Sequence, residues 1–325
     1  MNIQSLSIVV PNRNCVNDCR FCVSKMHNED IKDKISPAFS LYDNLPMDID
    51  HIYIHEEEYE DDDCNFLKQP IVRDYIERLN FARDNGCNTV ILTGKSEPQQ
   101  NKKFLLFFAY LNKKRLEKPF RCIELQTTGV MLDDKYLAFL RNVVGVSTIS
   151  LSISSFNSTD NAAIIGMPEK LRFELPQLCR KIKNFGFNLR LSINLTNFFN
   201  CFKYNPEELF EFAKKEFLAD QVTLRKLYYS GSRKQSEWVN RHSASDMTLA
   251  SLKSHVHAQG TALETLPYGS IKYSLKTLHG NISVVMDWDC MAKASGTSQQ
   301  NYKYLILQPD CHLYSRWDDE ASLIF

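Results

Sequence analysis

The sequence has no run of eighteen apolar residues, and its 39 lysines plus arginines are cancelled by 39 aspartates plus glutamates. The first absence excludes an ordinary membrane-spanning helix. The second removes the basic field that draws a protein to phosphate backbones or anionic lipid, so neither nucleic acid nor membrane is the expected partner. Met1 to Val10 lacks the charged and long apolar regions of a secretory signal, and the expectation is a cytoplasmic protein. No internal repeat, low-complexity tract or flexible linker marks an independent second domain. With 43% hydrophobic and 24% charged residues, the composition is remote from disordered, collagen-like and disulfide-scaffold chains. The 325 residues leave ample material for a core.

Ten cysteines are many for a reducing compartment, where disulfides are rare and thiols are buried or ligate metal. Seven of them, Cys64, Cys87, Cys122, Cys179, Cys201, Cys290 and Cys311, share no ligand spacing, and each is expected to be an inert core residue. The other three, Cys15, Cys19 and Cys22, stand as C-x3-C-x2-C just after an apolar run, Leu6 to Val10, that ends at Pro11. They are placed in the loop following a first strand.

An irregular stretch with an acidic run from Glu56 to Asp63 follows and reads as an insertion over about 28–69. From residue 70 helical and β-rich segments alternate: helix 70–85, strand 88–93, helix 101–116, strand 122–128, helix 133–142 and strand 148–154. The series continues with helix 168–185, strand 188–195, helix 206–217, strand 221–227 and helix 246–258. Phe104, Phe107, Phe108 and Leu111 recur at helical spacing and form a core stripe, and Asn205, Pro206 and Glu208 mark a helix start. Repeated strand–helix units predict a parallel sheet.

Parallel strands are usually apolar on both faces. Here Ser150, Ser152 and Ser154 alternate with Ile149, Leu151 and Ile153, while Arg190, Ser192 and Asn194 alternate with Leu189, Leu191 and Ile193. Glu124, Gln126 and Thr128 repeat the pattern, so one face must be polar, as in a partly open barrel with a polar guest. After residue 260 β patterning takes over, over 271–278, 282–286, 304–307 and 313–317. It reads as a small antiparallel appendage closing one end, which divides the chain into 1–258 and 259–325.

Three thiolates leave one position of a four-ligand site open. Zinc completed by His27 is the structural alternative. A four-iron cluster held by three cysteines instead leaves one iron free to bind something else.

Cys15, Cys19, Phe21 and Cys22 match C-x3-C-x-aromatic-C, and the chain thereby resembles the radical S-adenosylmethionine (SAM) enzymes. The resemblance implies an α/β fold with a partial (β/α)6 barrel. It also implies a [4Fe-4S] cluster on the three cysteines and SAM chelated at the fourth iron. SAM cleavage would then give a 5′-deoxyadenosyl radical that abstracts hydrogen. Thr93-Gly94-Lys95-Ser96-Glu97-Pro98 is similar to the family's glycine-glycine-glutamate-proline segment, where backbone groups and the acid hold SAM's ammonium, so Gly94, Ser96 and Glu97 become candidate contacts. Thr127, in a segment like the family's strand ending Thr-Asn-Gly, Ser152 for the ribose, and Arg190 and Ser192 near the SAM carboxylate complete the set.

No residue is singled out as catalytic. The resemblance covers about residues 4–230 and implies an electron donor such as a flavodoxin, ferredoxin or reductase. A small-molecule or nucleotide-like substrate is expected, with a peptide or RNA substrate, or a zinc-stabilised binding protein, as alternatives. Arg225 is expected to face inward, and Asp287, Trp288, Asp289, His312, Trp317 and Asp318 are candidates for the barrel mouth.

Overall fold

The computed structural model describes residues 2–12, 14–24, 69–229, 234–265, 270–288, 301–317 and 320–325. The acidic run, His27, Cys64, Asp289, Cys290, Asp318 and residues 230–233 of the loop after Tyr229 lie outside the described residues.

Strand β1 (Asn2–Val9) is followed by alternating units: α1 (Pro70–Asp84), β2 (Thr89–Thr93), α2 (Lys102–Lys114), β3 (Cys122–Thr127), α3 (Asp134–Phe139), β4 (Thr148–Ile153) and α4 (Ser158–Ile164). Then come α5 (Leu175–Asn184), β5 (Asn188–Asn194), α6 (Pro206–Lys215), β6 (Gln221–Arg225), α7 (Lys234–His242) and α8 (Asp246–Gln259). The described chain ends with β7 (Thr261–Thr265), β8 (Ile271–Thr277), β9 (Gly280–Asp287), β10 (Asn301–Leu307) and β11 (Leu313–Tyr314).

Among the described residues the strands form one sheet in the order β11-β10-β1-β2-β3-β4-β5-β6-β9-β8-β7. The strands β1 to β6 are parallel neighbours in chain order, which is the expected strand–helix barrel series. Leu6, Ile8, Val90, Leu92, Ile123, Leu125, Ile149 and Leu151 pack under the helices against the Phe104, Phe107 and Phe108 stripe of α2 in one core. Asn101 caps α2 by accepting from the Phe104 amide, and its own amide donates to the Pro11 carbonyl at 2.7 Å, which ties the helix start to the end of β1.

Three differences from the expected elements have local causes. The helix expected over 168–185 is a short turn at Glu169–Leu171 followed by α5, because Pro176 is accommodated in a first turn but not in a helix interior. Helix 158–164 was hidden among polar residues and begins at Asn157, whose side chain accepts from the Asp160 amide. Asn205 does stand before α6, yet its side-chain amide donates to Glu208 instead of capping the helix.

The C-terminal strands form antiparallel pairs, as expected for β8–β9 and β10–β11, with an additional strand β7 pairing β8. They are also continuous with the main sheet: β9 runs parallel to β6, and β10 runs parallel to β1. The sheet is not closed by backbone pairing of β9 with β10, but the Lys303 ammonium of β10 stands 3.4 Å from the Asp287 carboxylate of β9. An ion pair thus joins the two parallel edges.

Candidate active site

The cysteine loop leaves β1 at the C-terminal rim of the sheet, where α/β barrels place their sites. Cys15, Cys19 and Cys22 are all half-buried. The loop is held on three sides. Toward the end of β2, the Val16 amide donates to Gln100 at 3.0 Å, Gln100 donates back to the Asn14 carbonyl at 3.0 Å, and Asn12 donates to the Glu97 carbonyl at 3.2 Å. Toward the end of α4, the amides of Asp18 and Arg20 donate to the carbonyls of Ile165 (3.0 Å) and Ile164 (3.2 Å). On the third side Phe21 packs with Leu227, Val239 and Trp238, its ring centroid 6.0 Å from that of Trp238.

Two glycines permit these approaches. Gly166 has φ +59°, and a Cβ there would lie 2.7 Å from the Asp18 carbonyl oxygen. At Gly94 a Cβ would meet the Val10 carbonyl at 3.1 Å, so the turn after β2 can lie close against the end of β1.

Behind the loop is a buried carboxylate. Glu97, 5% exposed, accepts from Asn17 Nδ2 (3.2 Å), Gln99 Nε2 (2.9 Å), Thr127 Oγ1 (2.7 Å) and the Thr128 amide (3.1 Å). The Thr127 hydroxyl itself accepts from Gln99 and from the Gly129 amide, which directs its proton to Glu97. Asn17 spends its second amide hydrogen on Thr128 Oγ1 at 2.9 Å. The oxygens Asn17 Oδ1, Gln99 Oε1 and Ser96 Oγ are buried nearby without a protein partner. Burial raises the Cys15 thiol pKa, backbone hydrogen bonds from Asn17 and Glu97 oppose the shift, and the charges of Glu97 and Cys22 add to it.

The polar inner face is built by strand register. Gln126 pairs with Ser150 and Ser150 with Arg190, while Ser152 pairs with Ser192 and Ser192 with Thr223. A polar chain crosses this face: Thr93 donates to Gln126 (3.2 Å), Gln126 donates to Glu124 (3.4 Å), and Arg190 forms an ion pair with Glu124. Further along, Arg225 Nε is 3.9 Å from Asp287 Oδ2. The Nε atoms of both arginines are buried without a hydrogen-bond partner.

The remaining expected residues are dispersed. Trp288 packs against the main core, Trp317 lies 6.5 Å centroid to centroid from Tyr304, and the exposed His312 pairs with Asp310 at 2.9 Å. Of the scattered cysteines, Cys87, Cys179 and Cys311 are buried as expected, whereas Cys122 and Cys201 are exposed. Cys122 opens β3 on its exposed first position, and Cys201 lies on the outer side of the 3-10 turn Asn197–Lys203, whose Phe199 and Phe202 face the core instead. Asn17, Gln99, Gln100 and Trp238 escaped sequence reasoning. The first three adjoin motif residues and could have been found there, while Trp238 reaches Phe21 only through the packing of α7.

Among the described residues, no three His, Cys, Asp or Glu side chains converge on a point that could hold one metal ion. The three half-buried thiols stand on one anchored loop, and an iron–sulfur cluster would take each thiolate on a separate iron.

The family model of the radical SAM superfamily matches residues 9–215, more than half of the chain. The chain therefore belongs to the radical SAM superfamily, a family of enzymes that use SAM and an iron–sulfur cluster and generally need an electron donor. Among solved structures it is similar to a radical SAM methyltransferase from Sphaerobacter thermophilus, at 18% identity and a TM-score of 0.42. That likeness covers 56% of this chain and 51% of the other, so this chain spans about half of that neighbour's length. No curated protein matches the chain. None of the described helices is long and apolar enough to cross a membrane.

Proposed function

We propose that the chain binds a [4Fe-4S] cluster through Cys15, Cys19 and Cys22, cleaves SAM reductively there, and removes hydrogen from a small-molecule or nucleotide-like substrate. The observation that carries this reading is the placement of three half-buried thiols on one anchored loop, at the rim of a parallel sheet whose inner face is polar. When bound, the cluster and SAM supply the chemistry, an electron and a 5′-deoxyadenosyl radical that takes hydrogen from the substrate.

The chain's own groups bind, orient and exclude water. The backbone beside Gly94 and the unpartnered Ser96 hydroxyl serve the methionine end of SAM. Ser152 offers its hydroxyl for the ribose, and its register neighbour Ser192 serves the carboxylate beside Arg190. Arg190 keeps a buried, uncommitted Nε while Glu124 holds its guanidinium in place, an arrangement suited to a carboxylate. Phe21, braced by Trp238, shields the loop from water. Residues 259–325 supply the substrate side through Asp287 and Lys303, and a cytoplasmic flavodoxin, ferredoxin or reductase delivers the electron.

Anaerobic reconstitution tests the proposal. A brown protein with iron, sulfide and a reducible paramagnetic cluster, forming 5′-deoxyadenosine from SAM, is the expected result. A colourless zinc protein, or a cluster already capped by four protein ligands, overturns it. Deuterium passed from a candidate substrate into 5′-deoxyadenosine identifies the substrate.

A further inference from the structure

We propose that Glu97 is a positioning residue for the cysteine loop, acting through Asn17, rather than a contact for a ligand's ammonium group. The role of the loop as a cluster loop rests on the function proposed above, but the positioning itself can be read in the chain without any cofactor.

A carboxylate removed from water is tolerated only when its oxygens are supplied with donors. Glu97 receives four donors and no cation, one from the cysteine loop, one from Gln99 and two from the end of β3. An ionised carboxylate only accepts: three of these donors meet Oε2, and Oε1 takes Asn17 together with a longer share of the Thr128 amide at 3.3 Å. At 5% exposure the carboxylate is supplied by the chain's own donors rather than turned toward open space. The Glu97 carbonyl is also engaged, by Asn12 and by the Gln100 amide at 3.0 Å.

Asn17 transmits the constraint. It lies between Cys15 and Cys19, is 4% exposed, and divides its two amide hydrogens between Glu97 Oε1 and Thr128 Oγ1. Rotating the amide by half a turn would set its oxygen against Glu97 Oε1, acceptor against acceptor, so only one orientation is compatible with the carboxylate. The adjacent amides of Val16 and Asp18 are fixed to Gln100 and Ile165, leaving Asn17 as the point where the middle of the loop meets the sheet.

Glu97→Gln places an amide NH2 among groups that are themselves donors. In the cofactor-free chain, hydrogen exchange of amides 16–20 and alkylation of the loop thiols relative to Cys122 are expected to rise about tenfold or more, the cost of one charge-assisted hydrogen bond. After reconstitution, iron content falls with them. Combining Glu97→Gln with Asn17→Asp reverses donor and acceptor across the same contact, and is expected to restore both slow exchange and iron loading. A residue that merely supports the fold gives no such rescue. Should Glu97→Gln fail to fold, Asn17→Ala leaves the three other donors of Glu97 in place and must reproduce the faster exchange. Unchanged exchange and iron loading with weaker SAM binding alone would make Glu97 a ligand contact and overturn the proposal. If the native chain takes up no cluster, the proposed function fails, and the exchange of the cofactor-free variants still decides this inference.

Discussion

At the end of β2 the Glu97 carboxylate is buried among four uncharged donors, whereas on the inner face Glu124 faces Arg190, and Asp287 faces both Arg225 and Lys303. The two regions use the same chemical group differently. Uncharged donors fixed to backbone and short side chains give one geometry, with little to gain from rearrangement. Long cationic side chains can swing, and the two arginines keep buried Nε atoms without hydrogen-bond partners. The region under the cysteine loop is therefore preorganised, and the region between β3 and β10 is adaptable. The proposed function calls for that division, since a cofactor must be held within a fraction of an ångström while a substrate brings its own shape.

The largest effect is expected where the rigid region meets the metal. Cys19→Ala removes one of three thiolates and is predicted to abolish cluster assembly and SAM cleavage, measured as iron, sulfide and 5′-deoxyadenosine. The cofactor-free fold is expected to keep its circular dichroism spectrum, because the loop amides remain tied to Ile164, Ile165 and Gln100. Retained turnover would refute the ligand assignment. Next comes Gly166→Val, which forces a β-branched residue into φ +59° with its Cβ 2.7 Å from the Asp18 carbonyl oxygen. A loss of roughly 2–3 kcal/mol in urea unfolding is expected, together with faster exchange in residues 16–20. A neutral result would show that the loop yields easily and that its rigidity is overstated.

This rigidity was only partly legible in the sequence. The spacing of Cys15, Cys19 and Cys22 after an apolar strand located the loop, and the serine alternation in β4 and β5 announced a polar face, because both are local patterns. What joins Asn17 to Glu97 spans eighty positions, and no local period reports a contact of that range. The same holds for β9 and β10: their alternating, turn-bounded pattern is that of an antiparallel cap, and only the tertiary fold reveals that they run parallel to β6 and β1. Exposed Cys122 and Cys201 show the converse, since an apolar residue type is no guarantee of a place in the core.

The adaptable side is tested by Asp287→Asn, which leaves Arg225 and Lys303 facing a neutral group. Their side chains are 28% exposed and solvent screens the loss, so a cost of about 1–2 kcal/mol is expected. It should shrink in high salt, whereas the Gly166→Val penalty should not. A salt-independent loss would place Asp287 in packing rather than in an ion network.

The smallest perturbation is chemical and needs no mutation. A thiolate is the species that alkylates, so reactivity in the folded chain follows both pKa and access. Burial pushes the thiols of Cys87, Cys179 and Cys311 up to about 11, about 12 and about 12. Iodoacetamide is therefore expected to label the exposed Cys122 and Cys201 while the three core thiols stay protected up to about pH 9, reacting only through unfolding. Cys15, half-buried with its thiol also shifted upward, is expected to react more slowly than Cys122 but ahead of the core. Mass mapping of the labelled sites gives the order directly. If Cys15 reacted as slowly as Cys179, the loop would be closed to an incoming cluster, and a region fixed in that state could not serve as a preorganised ligand set.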